Sequence, residues 1–297
     1  MLEQTTRRER ILIYGSYKLG KSTCWIDIAD GLHKAGSDSH FYVIDTDFGV
    51  GKLLDEGYDH LESMMTIYEP HDFQDLLTAS KEIFKKAIKG DWIIIDMLSY
   101  PWTMAQEYYI QGVFGDEPED YFLQMRKEVV AKDGKDKRAY GGHEGTDWTF
   151  ITKIYHRFES PLSMKSKANI FAVTEEKKLD AERGATTDQI KQYKDVGGMA
   201  PAGQKGIGHR FDTILRLTMR ANGQRELTMA GDRGRQRTIW DERGSKVVKL
   251  GTGKERFARA YLVDIAGWGY GDSNKGAKGP ESAPVRSQGK KTATRRR

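Results

Sequence analysis

Apolar positions along this 297-residue chain fall into two kinds of run. Ile11-Leu12-Ile13-Tyr14, Phe41-Tyr42-Val43-Ile44, Trp92-Ile93-Ile94-Ile95 and Ile170-Phe171-Ala172-Val173 are short and uninterrupted, which predicts strands buried on both faces. Between them, apolar residues recur at helical spacing. Lys21 to Ala35 carries Trp25, Ile26, Ile28, Ala29 and Leu32 on one face and stops at Gly36. Asp72 to Lys89 does the same with Phe73, Leu76, Leu77, Ile83, Phe84 and Ala87 inward, and Asp147 to Glu159 with Trp148, Ile151, Ile154, Tyr155 and Phe158. A weaker strand is predicted around Met64 to Tyr68, and a stretch without turn signals runs from Trp102 to Val113. Glu175 to Gly206 is polar and shows no period.

The last third changes character. Thr213 to Met219 and Glu226 to Met229 flank Asn222-Gly223, a pair suited to the left-handed conformations of a tight hairpin turn. Strands alternating with helices, then a hairpin, predict an α/β fold: a mostly parallel sheet flanked by helices, with a C-terminal antiparallel edge. No internal repeat is present, so the pattern favours one domain over residues 1–272.

Composition refines this picture. An apolar fraction of 38% suffices for a core. The net charge of +5 is local: Asn274 to Arg297 holds eight Lys or Arg against one Glu, which leaves the rest slightly acidic. Residues 273–297, rich in Gly, Ser and basic residues, lack the apolar content to fold and are expected to form a disordered basic tail. Such a tail either attracts phosphate backbones or only aids solubility. The single cysteine, Cys24, excludes an intrachain disulfide and points to a reducing compartment. The first ten residues carry charge without the apolar stretch of a secretory signal, and no run reaches the length of a membrane span. The expectation is a soluble, cytoplasmic protein.

The chemistry begins directly after the first strand. Gly15-Ser16-Tyr17-Lys18-Leu19-Gly20-Lys21-Ser22 spells G-x-x-x-x-G-K-[ST], and Thr23 continues it into the first helix. Free amides and the helix dipole make such a turn an anion site for the phosphates of ATP. Lys21 would reach the β- and γ-phosphates, and Ser22 would hold Mg²⁺. Asp96, closing the most apolar strand, fits as the second magnesium residue, or else caps the next helix. Asp45-Thr46-Asp47 ends the Phe41 strand; if that strand lies beside the phosphate-loop strand, its carboxyl end opens on the same crevice. Asp47 is then the general-base candidate, the alternative being that both aspartates simply terminate the strand.

These segments together resemble a family. Phe41 to Asp47 is similar to the strand of RecA-like recombinase ATPases that ends in a catalytic acid, and Trp92 to Ser99 to their magnesium-site strand. With the Ile13-Tyr14-Gly15 entry to the loop, the chain from Ile11 to Arg235 most resembles phage-encoded RecA-like P-loop ATPases, including single-strand annealing proteins. The resemblance implies a DNA-dependent ATPase, working as a homo-oligomer on single-stranded DNA in recombination, annealing or replication, in the host cytoplasm. It implies that Glu175 occupies the place of the γ-phosphate sensor. Mobile DNA-binding loops would correspond to Arg126 to Gly145 and Glu175 to Gly206, with plain solvated loops as the alternative. Arg233 or Arg235 would be the basic finger that reaches a neighbour's nucleotide.

Three departures bear on turnover. Asp47 stands where Glu is usual, Met97 where serine is usual, and Glu175 where Gln is usual. An anion at 175 repels the γ-phosphate, which leaves Thr174 as an alternative sensor, and the shorter Asp47 predicts slow hydrolysis. Other uses of the same loop stay open. Partition and cell-division ATPases carry a signature lysine where this chain has Ser16, and Lys18 lies two positions too late. A small-molecule kinase with a lid at Lys177 to Arg183, or a nucleotide-gated binding protein with little turnover, would use the loop as well.

Overall fold

The computed structural model describes residues 2–3, 8–115, 117, 119–120, 123–124, 127, 145–181, 185–233, 246–251 and 256–270. The basic tail, Arg235 and nearly all of the 126–145 segment lie outside the described residues. In chain order the elements are β1 (Leu2–Glu3), β2 (Arg10–Tyr14), α1 (Lys21–Lys34), β3 (Phe41–Asp45), α2 (Val50–Asp55), β4 (Met65–Tyr68), α3 (Phe73–Lys86) and β5 (Trp92–Asp96). There follow α4 (Ser99–Phe114), α5 (Gly145–Ser160), β6 (Asn169–Thr174), β7 (Glu176–Lys178), α6 (Thr187–Gln192), β8 (Met199–Pro201), β9 (Thr213–Met219), β10 (Arg225–Asp232), β11 (Val247–Lys249) and β12 (Gly269–Tyr270).

Eight strands form one sheet in the order β11-β10-β9-β2-β6-β5-β3-β4. The six from β9 to β4 run parallel, while β10 and β11 add the antiparallel edge. The alternation of side chains along each strand divides the core. Ile11, Ile13, Val43, Ile94, Phe171 and Val173 pack with α1 residues Trp25, Ile28 and Leu32 on one face. Leu12, Tyr14, Ile44, Ile93, Ile95 and Ile170 pack with Phe73 and Leu76 of α3 and Ile151, Tyr155 and Phe158 of α5 on the other. Burial of both faces is why these strands read as continuous apolar runs; each large side chain so buried contributes about 1.5–3 kcal/mol.

Local rules set the helix ends. Asp72 caps α3 by accepting from the Asp75 amide at 2.8 Å, and α1 stops before Gly36, whose φ of 67° is left-handed. Three expectations are corrected. β3 does not lie beside β2, because β6 and β5 stand between them. Phe84 is 42% exposed: the buried stripe of α3 passes through Phe73, Leu76, Ser80 and Ile83, and the next residue lies about 100° around the helix. Trp148 also sits outside the α5 stripe, 41% exposed, although it stacks on Trp102. The stretch without turn signals is α4, and the polar segment after β6 contains the β7–β8 hairpin and α6. Phe257, Tyr261, Leu262 and Trp268, beyond the predicted hairpin, complete the α1 side of the core.

Candidate functional site

The cleft lies at the carboxyl ends of β2, β3, β5 and β6, where open α/β sheets bind ligands. Its volume is ≈ 720 Å³, and it is lined by Tyr17, Lys18, Gly20, Lys21, Ser22 and Thr23 from the loop and first turn of α1, by Asp47, Asp96 and Glu175 from three other strand ends, and by Arg225 from β10. Residues of α2 and Tyr100 of α4 close its sides. The strand order explains how Asp47 reaches the cleft from two strands away: the chain continues past Asp45 into the turn before α2. Gly15, Ser16 and Leu19 stand outside the lining, and Leu19 packs against the core.

Two glycines of the loop are demanded by geometry. A Cβ on Gly15 would meet the Leu217 carbonyl oxygen at 2.4 Å, and Gly20, with φ 82°, takes the left-handed conformation from which α1 starts. Among the described residues, only Lys18 and Phe48 have left-handed φ without being glycine. Both lie on loops beside the cleft, where strained backbone tends to gather.

Lys21 is buried, with Nζ donating to the Ser16 carbonyl at 2.8 Å. Burial lowers its pKa, against the opposing pull of Asp96, Glu175, Glu176 and Asp47. Asp96 is buried, and its Oδ2 accepts from the Trp25 indole N–H at 2.9 Å. Burial raises the Asp96 pKa, while Trp25, Ser22 and Lys21 favour the charged form. Its Oδ1 is buried without a hydrogen-bond partner among the described residues. An orphaned carboxylate oxygen beside a hydroxyl and a lysine suits a bound cation. No group of three His, Cys, Asp or Glu residues with metal-binding geometry occurs among the described residues. Magnesium held by a hydroxyl, phosphates and water needs no such cluster.

The two aspartates after β3 divide their roles. Asp45 is buried and its two oxygens accept from the amides of Gly49 (3.2 Å) and Val50 (2.9 Å), which holds the turn and the start of α2. Asp47 is exposed at the cleft wall. Partial desolvation there, followed by the charges of Asp96 and Asp45, pushes its carboxyl up to about 7. Thr46 ties the two strand ends together: its hydroxyl donates to the Met97 carbonyl and accepts from the Met97 amide, both at 2.8 Å.

Glu175 lines the cleft and is exposed. Thr174 is fully buried, its hydroxyl donating to the Ala202 carbonyl at 3.2 Å, and it does not line the cleft. Arg233 lies elsewhere: it lines a separate cavity of ≈ 340 Å³ with Lys177, Lys205 and His209, 3.2 Å from the His209 ring.

Three residues of this neighbourhood escape sequence reasoning. Glu176 accepts from the Ser16 hydroxyl at 2.5 Å and from Arg216 Nε at 2.8 Å. Partial burial raises its pKa, but the bonds from Arg216 and Ser16 outweigh that and hold it below the usual value. Arg216 also donates to the Val196 carbonyl at 2.9 Å. This bridge fastens the turn after β2 to β7 and β9. The third residue is Arg225; the sequence offers only its place just after Asn222-Gly223 as a signal.

No protein-family model matches this sequence, and no curated protein does. The chemistry of the cleft therefore carries the functional reading. No helix among the described residues is long and apolar enough to cross a membrane.

Proposed function

We propose that this chain is a RecA-like P-loop ATPase that binds ATP with Mg²⁺ and hydrolyses it slowly, acting as a homo-oligomer on single-stranded DNA in recombination, annealing or replication. One observation carries the reading: Lys21, Ser22, Asp96, Asp47 and Glu175, drawn from four strand ends, line a single cleft.

Lys21 and the loop amides bind the β- and γ-phosphates, and Ser22 and Asp96 would hold the metal. When bound, magnesium would supply positive charge to offset that left on ADP as the bond from the γ-phosphorus to its leaving oxygen breaks. Asp47 accepts a proton from the water whose oxygen bonds to the γ-phosphorus; ADP and inorganic phosphate leave. A carboxyl raised by desolvation and by the charges of Asp96 and Asp45 is a stronger proton acceptor than an ordinary aspartate. Glu175, next in sequence to the residue that holds Ser16, faces the γ-phosphate as a like charge, and that repulsion is the signal of its presence passed to β7. Arg233, outside its own cleft and exposed, serves as the finger toward a neighbouring copy.

Phosphate release from ATP, measured with and without single-stranded DNA, tests this. The expected result is Mg²⁺-dependent release that rises when DNA is added. No stimulation, together with no retention of DNA at physiological salt, would overturn the DNA-linked reading.

A further inference from the structure

We infer that Arg225 is a phosphate-binding residue of the cleft, gripping the non-transferred phosphates of a nucleoside di- or triphosphate from within the same chain. The inference rests on the nucleotide reading above. Its guanidinium lies over the N-terminal turn of α1: a Cβ on Gly20 would meet Arg225 Nη1 at 2.8 Å and Cζ at 3.1 Å. It makes no ion pair and no side-chain hydrogen bond among the described residues. The cleft lining sets Lys18, Lys21, Lys52 and Arg225 against Asp47, Glu56, Asp96 and Glu175, and because none of those carboxylates pairs with Arg225, its guanidinium can take an anion at the positive end of α1. A polyphosphate supplies that anion.

The backbone is set for the task. The Arg225 carbonyl accepts from the Leu250 amide at 3.0 Å and from Gln224 Nε2 at 2.9 Å, which fixes the start of β10 before a ligand arrives. Arg225 sits beside Gly20 and Thr23 at the first turn of α1, while Asp96, Glu175 and Asp47 oppose Lys21 from other strand ends. A group placed over that turn serves the phosphates that stay with the nucleoside.

Calorimetric titration of ADP, and of a slowly hydrolysed ATP analogue, into the full chain with Mg²⁺ tests this on wild type, Arg225→Ala, Arg225→Gln and Lys21→Ala. Both Arg225 variants are expected to bind both nucleotides about 10-fold more weakly, by similar factors. Their nucleotide-free melting temperatures should stay near that of wild type, since, among the described residues, Arg225 makes no ion pair or side-chain hydrogen bond that holds the fold. ADP affinity within twofold of wild type in both variants, while Lys21→Ala loses binding, would overturn the inference. So would a loss confined to the triphosphate analogue. If wild type binds neither nucleotide, the nucleotide reading itself fails and this inference falls with it.

Discussion

At Asp47, desolvation and the charges of Asp96 and Asp45 raise a carboxyl to about 7. A group whose pKa rises on folding stabilises the folded chain most below its unfolded value, near 4, and that stability is lost as pH climbs through about 7. Replacing Asp47 with Asn removes this dependence. Nucleotide-free Asp47→Asn is expected to melt with wild type near pH 4 and above it at pH 8; equal melting temperatures at both pH values would show that the crowding is absent. Turnover has the opposite demand, since only the charged carboxylate accepts a proton. Hydrolysis by wild type should rise with pH as that carboxyl ionises, and Asp47→Asn should lose about 100-fold or more of it while still binding ATP. Unchanged hydrolysis in the variant would remove Asp47 as the base. Gly15 gives a purely steric test. Gly15→Ala forces a Cβ toward the β9 backbone, which cannot yield without moving the sheet, so a loss of about 1–3 kcal/mol in denaturant unfolding is expected. Wild-type stability in that variant would mean that β2 and β9 are not so close.

Between elements, the bridge from Ser16 through Glu176 to Arg216 joins the turn after β2 to β7 and β9. Removing Arg216 leaves Glu176 with one partner and the loop less well fixed. Arg216→Ala is expected to lower stability by about 1–3 kcal/mol and to weaken ATP binding several-fold, read by melting and by titration. Binding at wild-type strength would show that the bridge holds only the fold. This bridge was not legible in the sequence, because it joins residues 40 and 160 positions apart that share no pattern. The strands were legible, because burial on both faces leaves an unbroken apolar run, and so was the turn after β2, because its glycines are required by φ and by a close approach. Strand order was not. Asp47 reaches the cleft although two strands separate β3 from β2, a fact of topology that no local pattern encodes. Nor was α4, whose apolar residues lie all round the helix, or the segment containing Tyr261 and Trp268, which packs without a regular α-helical period.

For the whole molecule, the sheet gathers the chemistry of four strand ends at one rim, while Arg233 lines a separate cavity. If Arg233 acts, it acts on another copy. Sizing the protein with single-stranded DNA and a slowly hydrolysed ATP analogue should therefore reveal a larger assembly than the protein alone, and Arg233→Ala should lower hydrolysis without weakening ATP binding to its own chain. A monomer under all conditions, with full hydrolysis in Arg233→Ala, would leave Arg233 no catalytic part. The most direct test is inorganic phosphate release from ATP by wild type and by Lys21→Ala, each with Mg²⁺ and with single-stranded DNA present. Release that requires magnesium and disappears in Lys21→Ala is the expected result. No release by wild type, or equal release by the variant, would contradict an ATPase site at this cleft.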